Sequence, residues 1–553
     1  MKYQKWKRVL SCLLSGLLVL GCLAGCGNQT AGKTTDAQQE STKAEGTEAG
    51  ATEGTDATEE AKGITYPIEG NVKLTIAVVE EANVTATAKD LGETMFGKAW
   101  QEKTGVELEF ITVPSKDAMG LLITGGEYPD IFLGYNSFPG GVEKNIRDGV
   151  IEPIGNYAEY CPDLMAALDE NELFRKMASL NGVVYCAPLI MEDEYLQVSS
   201  GLMIRSDWLK DLGLDMPETA DDLYNVLKAF KEKKGAEVPF SLTAGFLSWQ
   251  GVGQGCLTSP FGLPNAYWYI DGDKIHYGYY EKEYKDVLEF LHKLYDEKLL
   301  DPNFQTLDAA TVNANFMNGK SGVTMGAIGS GMGTYLETMK DDPKFDVAGF
   351  GPLAAEKGGK AMNTTLNSPV VTSGAYISGT CKNKEAAAMF LNYGYTEEGI
   401  KLFNFGTEGK SYNMVNGSPT YTDIILKPEG MTKVQALAHW TRIPQNGPFI
   451  QQREYMEQYN GLPQQQAALT SWSNSDAMDH YVPTLSMSSE DKAEYNKIMG
   501  DIDTYTNEMF IKYVTGIKSL DTFETEYLPT LEKMGMKRAL ELRQKALDAF
   551  NAQ

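Results

Sequence analysis

Glu80-Glu81 and Tyr135-Asn136 place two carboxylates, a phenol and an amide directly after apolar runs. Those runs, Lys73–Val79 and Ile131–Leu133, read as buried strands. Ligands of open α/β sheets sit beyond the carboxyl ends of strands, so all four residues are candidate ligand contacts, against the competing reading of solvated loop residues. The sequence offers little else for covalent or metal chemistry. His276, His292, His439 and His480 form neither H-x-x-H nor H-E-x-x-H, so no zinc site is expected. Gly319-Lys320-Ser321 ends like a phosphate loop, but Ala314 stands where its first glycine is required, and ATP binding is rejected. Carboxylate pairs such as Glu80 and Asp193 are too numerous in an acidic chain to single out a glycoside hydrolase. No catalytic residue, metal or cofactor is assigned.

The elements that position these residues follow from periodicity. After Lys73–Val79 comes a helical segment through Phe96, Ala99 and Trp100, stopped by Gly105. Val106 to Ile111 is a second strand, Met119 to Ile123 a second helix, and Ile131–Leu133 a third strand. This alternation predicts a parallel α/β sheet. Leu202 to Ile204 and Phe240 to Leu242 read as strands of a second α/β lobe. Between them, Thr219 and Asp222 form a capping box ahead of a helix closed by Gly235. Another helix carries Val287, Leu288, Leu291 and Leu294, and the last 120 or so residues read mostly helical.

The chain has 553 residues and a formal net charge of −26, from 49 Lys+Arg against 75 Asp+Glu. Such acidity argues against nucleic-acid partners. With 42% hydrophobic residues a sizeable core can form, and the one segment apolar enough to span a bilayer lies at the extreme N-terminus. There Lys2, Lys5, Lys7 and Arg8 precede an uncharged stretch from Val9 to Gly25, the layout of a secretory signal. It ends in Leu23-Ala24-Gly25-Cys26, which resembles a bacterial lipobox and implies lipidation of Cys26 once residues 1–25 are removed. Residues 27–63 contain no Val, Ile, Leu, Met or aromatic residue and read as a disordered tether. Of the remaining cysteines, Cys161, Cys186, Cys256 and Cys381 are widely spaced. They could pair in three ways, but they read as small buried hydrophobes.

Several segments together resemble the bacterial extracellular solute-binding proteins of the sugar-binding type. Lys98 to Val106, KAWQEKTGV, is similar to that family's F-E-K-E-T-G-I; Pro129-Asp130-Ile131 matches its P-D-I; Asn181 to Pro188, NGVVYCAP, looks like D-G-K-I-Y-A-L-P. Met203 to Leu209 is similar to the strand after the first hinge. Asp271 to Gly278, Leu294 to Pro302 and Gly406 to Tyr412 resemble a Firmicutes lipoprotein branch. No element is specific by itself; their order and spacing from Lys73 to Thr422 carry the likeness.

The resemblance implies an α/β, two-lobe periplasmic-binding-protein-like fold of type II, with a hinge between the lobes and a helical C-terminal region. It places residues 64–200 and 372–425 in the first lobe, and 201–371 and 426–553 in the second. The family hinges fall at Gln197 to Gly201 and Val371 to Tyr376. The implied function is capture of an extracellular oligosaccharide by a lipid-anchored monomer, without chemical change. The partners are an ABC permease in the membrane and its separate cytoplasmic ATPase. A sugar presents hydroxyls and a weakly apolar C–H face, which aromatic rings and polar side chains complement. Trp249, Trp268, Trp440 and Trp472 are therefore candidate stacking residues, with Arg442 and Asn367 as polar contacts. Trp100 and Trp208 are assigned to the core. An oligopeptide-binding lipoprotein and a secreted glycoside hydrolase are the competing functions.

Overall fold

The computed structural model describes residues 64–443 and 445–553. Cys26, the signal segment and the whole of the tether lie outside the described residues. Two α/β lobes are built around two separate sheets.

Lys73–Val79 is the strand that the sequence predicts, and it is hydrogen-bonded in parallel to Glu107–Val113 on one side and Ile131–Leu133 on the other. The helix between the first two, Met95–Thr104, starts at a Thr94 side chain that accepts from Gly97 N–H and ends at Gly105, whose φ of 72° favours glycine. Its Trp100 stacks on Phe390 with ring centroids 4.3 Å apart, fixing the helix to the core. The parallel expectation holds for these three strands but not for the whole sheet. Val370–Ser378 runs antiparallel to Ile131–Leu133 and to Ala187–Ile190, so the sheet is mixed.

The second sheet is antiparallel, with Ser200–Arg205 between Val323–Ala327 and Val347–Phe350. Leu202 and Ile204 face one core and Met203 the other, as strand alternation requires. Phe240 to Leu242, expected as a strand, makes only single bridges from Phe240 to Leu300 and Val323. The Thr219–Asp222 capping box opens the helix Ala220–Lys234, whose Leu223, Leu227 and Phe230 fill this lobe.

Residues 426–553, expected together in the second lobe, divide. Phe449–Ile450 pairs in parallel with Ala187–Ile190 at the edge of the first sheet. Leu437, Ile443 and Phe449 are buried in the first core, which holds this stretch there. Helix Pro463–Trp472 then packs against Val347–Phe350, and the long helices Ser489–Val514 and Met536–Asn551 cover the second lobe through Met509, Tyr513 and Leu547.

Two chain crossings run side by side between the lobes. Val198 bridges Leu366 antiparallel, and Asn367 N–H donates to the Gln197 carbonyl at 2.7 Å. Cys161, Cys186, Cys256 and Cys381 are buried free thiols. Burial pushes the Cys161, Cys256 and Cys381 thiols up to about 12, so they are inert and apolar in character.

Candidate functional site

A cleft borders the segment 477–487 in two parts that share Arg543, one lined by second-lobe residues and the chain crossing, the other with first-lobe residues facing Lys492 and Tyr495. Its second-lobe part encloses about 230 Å³ and is lined by Trp249, Asn265, Tyr267 and Trp268. Its first-lobe part encloses about 340 Å³ and is lined by Asn136, Gly141 and Thr372 from that lobe, with Lys492 and Tyr495 opposite. Arg543 lines both parts.

Trp249 sits on a wide helical turn, Phe246–Gly253, and remains 48% exposed. Gly253 leaves space for the indole, because a Cβ there would lie 3.2 Å from the ring. Tyr267 meets Trp249 edge to face at 5.2 Å, giving the cleft an aromatic corner. Trp268 begins the strand Trp268–Asp271 and is buried at 6% exposure, behind that corner. Its indole N–H has no hydrogen-bond partner, and neither has the side-chain carbonyl of Asn265, also on the cleft wall. Buried polar atoms of this kind are rare, and here they border an open cleft. Burial raises the Tyr267 phenol and pushes that of Tyr495 up to about 12, so both hydroxyls stay neutral donors.

The structure distributes the expected contacts unevenly. Asn136 and Trp249 are exposed on the cleft, and Trp268 backs it. Tyr135 is 2% exposed, packs edge to face with Phe138, and donates its hydroxyl to the Ser137 carbonyl. Glu81 and Arg442 are spent on each other in a two-bond ion pair. Glu80 is exposed and accepts from Thr85 Oγ1 at 3.4 Å. Trp440 is half-buried at the end of helix Lys433–Trp440, beside His439. Asn367 lies at the crossing, its amide donating to Ser199 Oγ at 3.3 Å. Trp472 is 1% exposed, and its indole N–H donates to the Leu202 carbonyl at 2.9 Å. Tyr267, Asn265, Lys492 and Arg543 line the cleft without having been singled out in the sequence. No group of three or more His, Cys, Asp or Glu that could hold a metal ion occurs among the described residues.

Residues 82–401 match the family described as bacterial extracellular solute-binding protein. The chain is 31% identical over 333 residues to Lipoprotein LipO of Bacillus subtilis, covering 58% of this chain and 64% of that protein. It is 25% identical over 527 residues to the fructooligosaccharide ABC transporter substrate-binding protein FusA of Streptococcus pneumoniae, covering 89% and 93%. It is 28% identical over 240 residues to the polygalacturonan/rhamnogalacturonan-binding protein YtcQ of Bacillus subtilis, covering 41% and 46%. The chain thus spans less than two thirds of LipO and of YtcQ, and nearly all of FusA. The solved structure of FusA with kestose superposes with a TM-score of 0.63 at 22% identity, over 87% of this chain and 99% of that one.

Proposed function

The chain belongs to the bacterial extracellular solute-binding proteins, and from that premise we propose that it captures an oligosaccharide in the cleft between its lobes and delivers it, chemically unchanged, to a membrane ABC permease driven by a separate ATPase. The observation that carries this reading is the pairing of a half-exposed indole, Trp249, with the unsatisfied polar atoms of Asn265 and Trp268 along one wall. An aromatic face with nearby unpartnered donors and acceptors complements a ring that is apolar on its face and hydroxylated at its edge. The names of FusA, a fructooligosaccharide transporter's substrate-binding protein, and YtcQ, a polygalacturonan/rhamnogalacturonan-binding protein, support the same ligand class. The paired crossings at Val198–Leu366 support closure of the lobes by small changes at few residues.

Attachment through lipidated Cys26 at the outer face of the cytoplasmic membrane belongs to the same proposal, supported by Leu23-Ala24-Gly25-Cys26 and by the name of LipO.

Calorimetry with oligosaccharides and with oligopeptides tests the reading. Saturable sugar binding, with the glycan recovered intact by chromatography, is expected. Binding of peptides alone, or recovery of cleaved glycan, would overturn it. A ligand at 100 times its dissociation constant should also stabilise the fold by about 2.7 kcal/mol.

A further inference from the structure

Arg543 stands apart from the other arginines of the described chain. Arg147, Arg175, Arg205, Arg442, Arg453 and Arg538 each have a carboxylate oxygen within 3.6 Å. Arg543 has none among the described residues, and its Nε is buried without any hydrogen-bond partner. Its guanidinium instead lies over two aromatic faces, 5.3 Å from the Trp268 centroid and 5.8 Å from that of Tyr495. Those contacts orient the planar fork and leave its donors unspent.

Lys492 repeats the pattern on the same cleft. It is exposed, it has no ion-pair partner among the described residues, and its Nζ lies 3.3 Å from the position of a Cβ on Gly141 of the opposite lobe. The third cation there, Lys144, is already neutralised by Asp148. Glu143 is the one acidic residue on this wall. In a chain with 75 acidic and 49 basic residues, two unpaired cations converging on one cleft are against the average composition. Low-dielectric walls concentrate their field on whatever enters.

We infer that the cleft is built for an acidic oligosaccharide, a glycan whose uronic-acid carboxylate is received by Arg543 and Lys492 while a neighbouring ring stacks at Trp249 and Tyr267. A guanidinium held over aromatic rings can present paired N–H groups to a carboxylate, the arrangement that binds it in two-bond fashion. Lys492 adds a mobile point charge from the other side. This inference rests on the oligosaccharide reading and narrows it to a charged class.

Titration of the intact body with uronic-acid trisaccharides (galacturonate, glucuronate and mannuronate), their methyl esters, and neutral trisaccharides tests it. At least one free uronate should bind ten times or more tighter than its methyl ester, and that preference should shrink as salt rises from about 0.02 to 0.5 M. Arg543→Gln should reduce uronate affinity at least tenfold. Lys492→Gln changes an exposed side chain, so the fold should persist, and it should lower the uronate-to-ester ratio at least threefold. Neutral trisaccharides binding as tightly as uronates, or a ratio unmoved by Lys492→Gln, would overturn the inference and leave oligosaccharide capture standing. Failure of every sugar to bind would overturn both.

Discussion

The guanidinium of Arg442 closes on the carboxylate of Glu81 through two hydrogen bonds of 2.8 Å each, across 361 residues of sequence. The side chains are 1% and 13% exposed, so the pair is nearly dry. Arg442 also donates to the Asn446 carbonyl, and the Asn446 amide donates to Ser373 Oγ at 2.7 Å. The pair therefore fixes the loop after strand Lys73–Val79 to the segment leading into Phe449–Ile450, beside the strand Val370–Ser378. Breaking one side leaves a buried uncompensated charge. Glu81→Ala should cost about 3–5 kcal/mol of unfolding free energy, read from urea denaturation. A loss below about 1 kcal/mol would show that the pair is solvated and free to engage a ligand.

Trp249 makes the opposite prediction. At 48% exposure it contributes little to the core, and its ring borders the cleft. Trp249→Ala should leave unfolding free energy within about 0.5 kcal/mol of the parent. It should weaken oligosaccharide binding by about 1 kcal/mol or more, roughly fivefold, by calorimetry. Unchanged affinity would remove Trp249 from the site.

Much of the fold was legible where the signal is local. Lys73–Val79, the Gly105 stop and the Thr219–Asp222 box depend on neighbours within one element, and the structure contains each of them. Phe449–Ile450 was illegible because two residues carry no periodicity, and its pairing to Ala187–Ile190 is decided by distant packing. The site was harder for the same reason. Trp472, in the polar run Ser471-Trp472-Ser473-Asn474, resembles a loop contact, yet its burial is set by glycines at 201 and 349. Arg543 resembles an ordinary surface charge on an amphipathic helix. One signal could have marked it: Ala539, Leu540, Ala546 and Leu547 occupy the positions three and four residues away, so no acid on its own helix can pair with it.

Asp503 gives a pH dependence with a defined sign. Burial raises its carboxyl above the ordinary value, partly offset by the Tyr277 hydroxyl that donates to it at 3.1 Å. The folded state therefore holds the proton more tightly than the unfolded chain. The resulting stability is fully present below the unfolded carboxyl value and is lost as pH rises through the folded one. Asp503→Asn keeps an acceptor for Tyr277 and removes the ionisation. Its melting temperature should exceed the parent's at pH 8, and the difference should disappear near pH 4. An equal shift at both pH values would contradict a burial cost on the carboxylate.

Gly201 and Trp472 form a close joint between the second sheet and helix Pro463–Trp472. A Cβ on Gly201 would lie 2.6 Å from three atoms of the Trp472 ring, and the indole N–H is bonded to the carbonyl of Leu202, the next residue. Neither partner can retreat easily, since Gly201 is paired with Gly326 in the sheet and the Trp472 carbonyl accepts from Thr364 Oγ1 at 2.8 Å. Gly201→Ala should therefore destabilise by about 1–3 kcal/mol through overpacking. Trp472→Ala should cost about 3–5 kcal/mol through the cavity it leaves. In the double variant the alanine methyl occupies part of that cavity, so the combined loss should fall short of the sum by about 0.5 kcal/mol or more. Strict additivity in a urea-denaturation cycle would mean that the two residues are not in the close contact described.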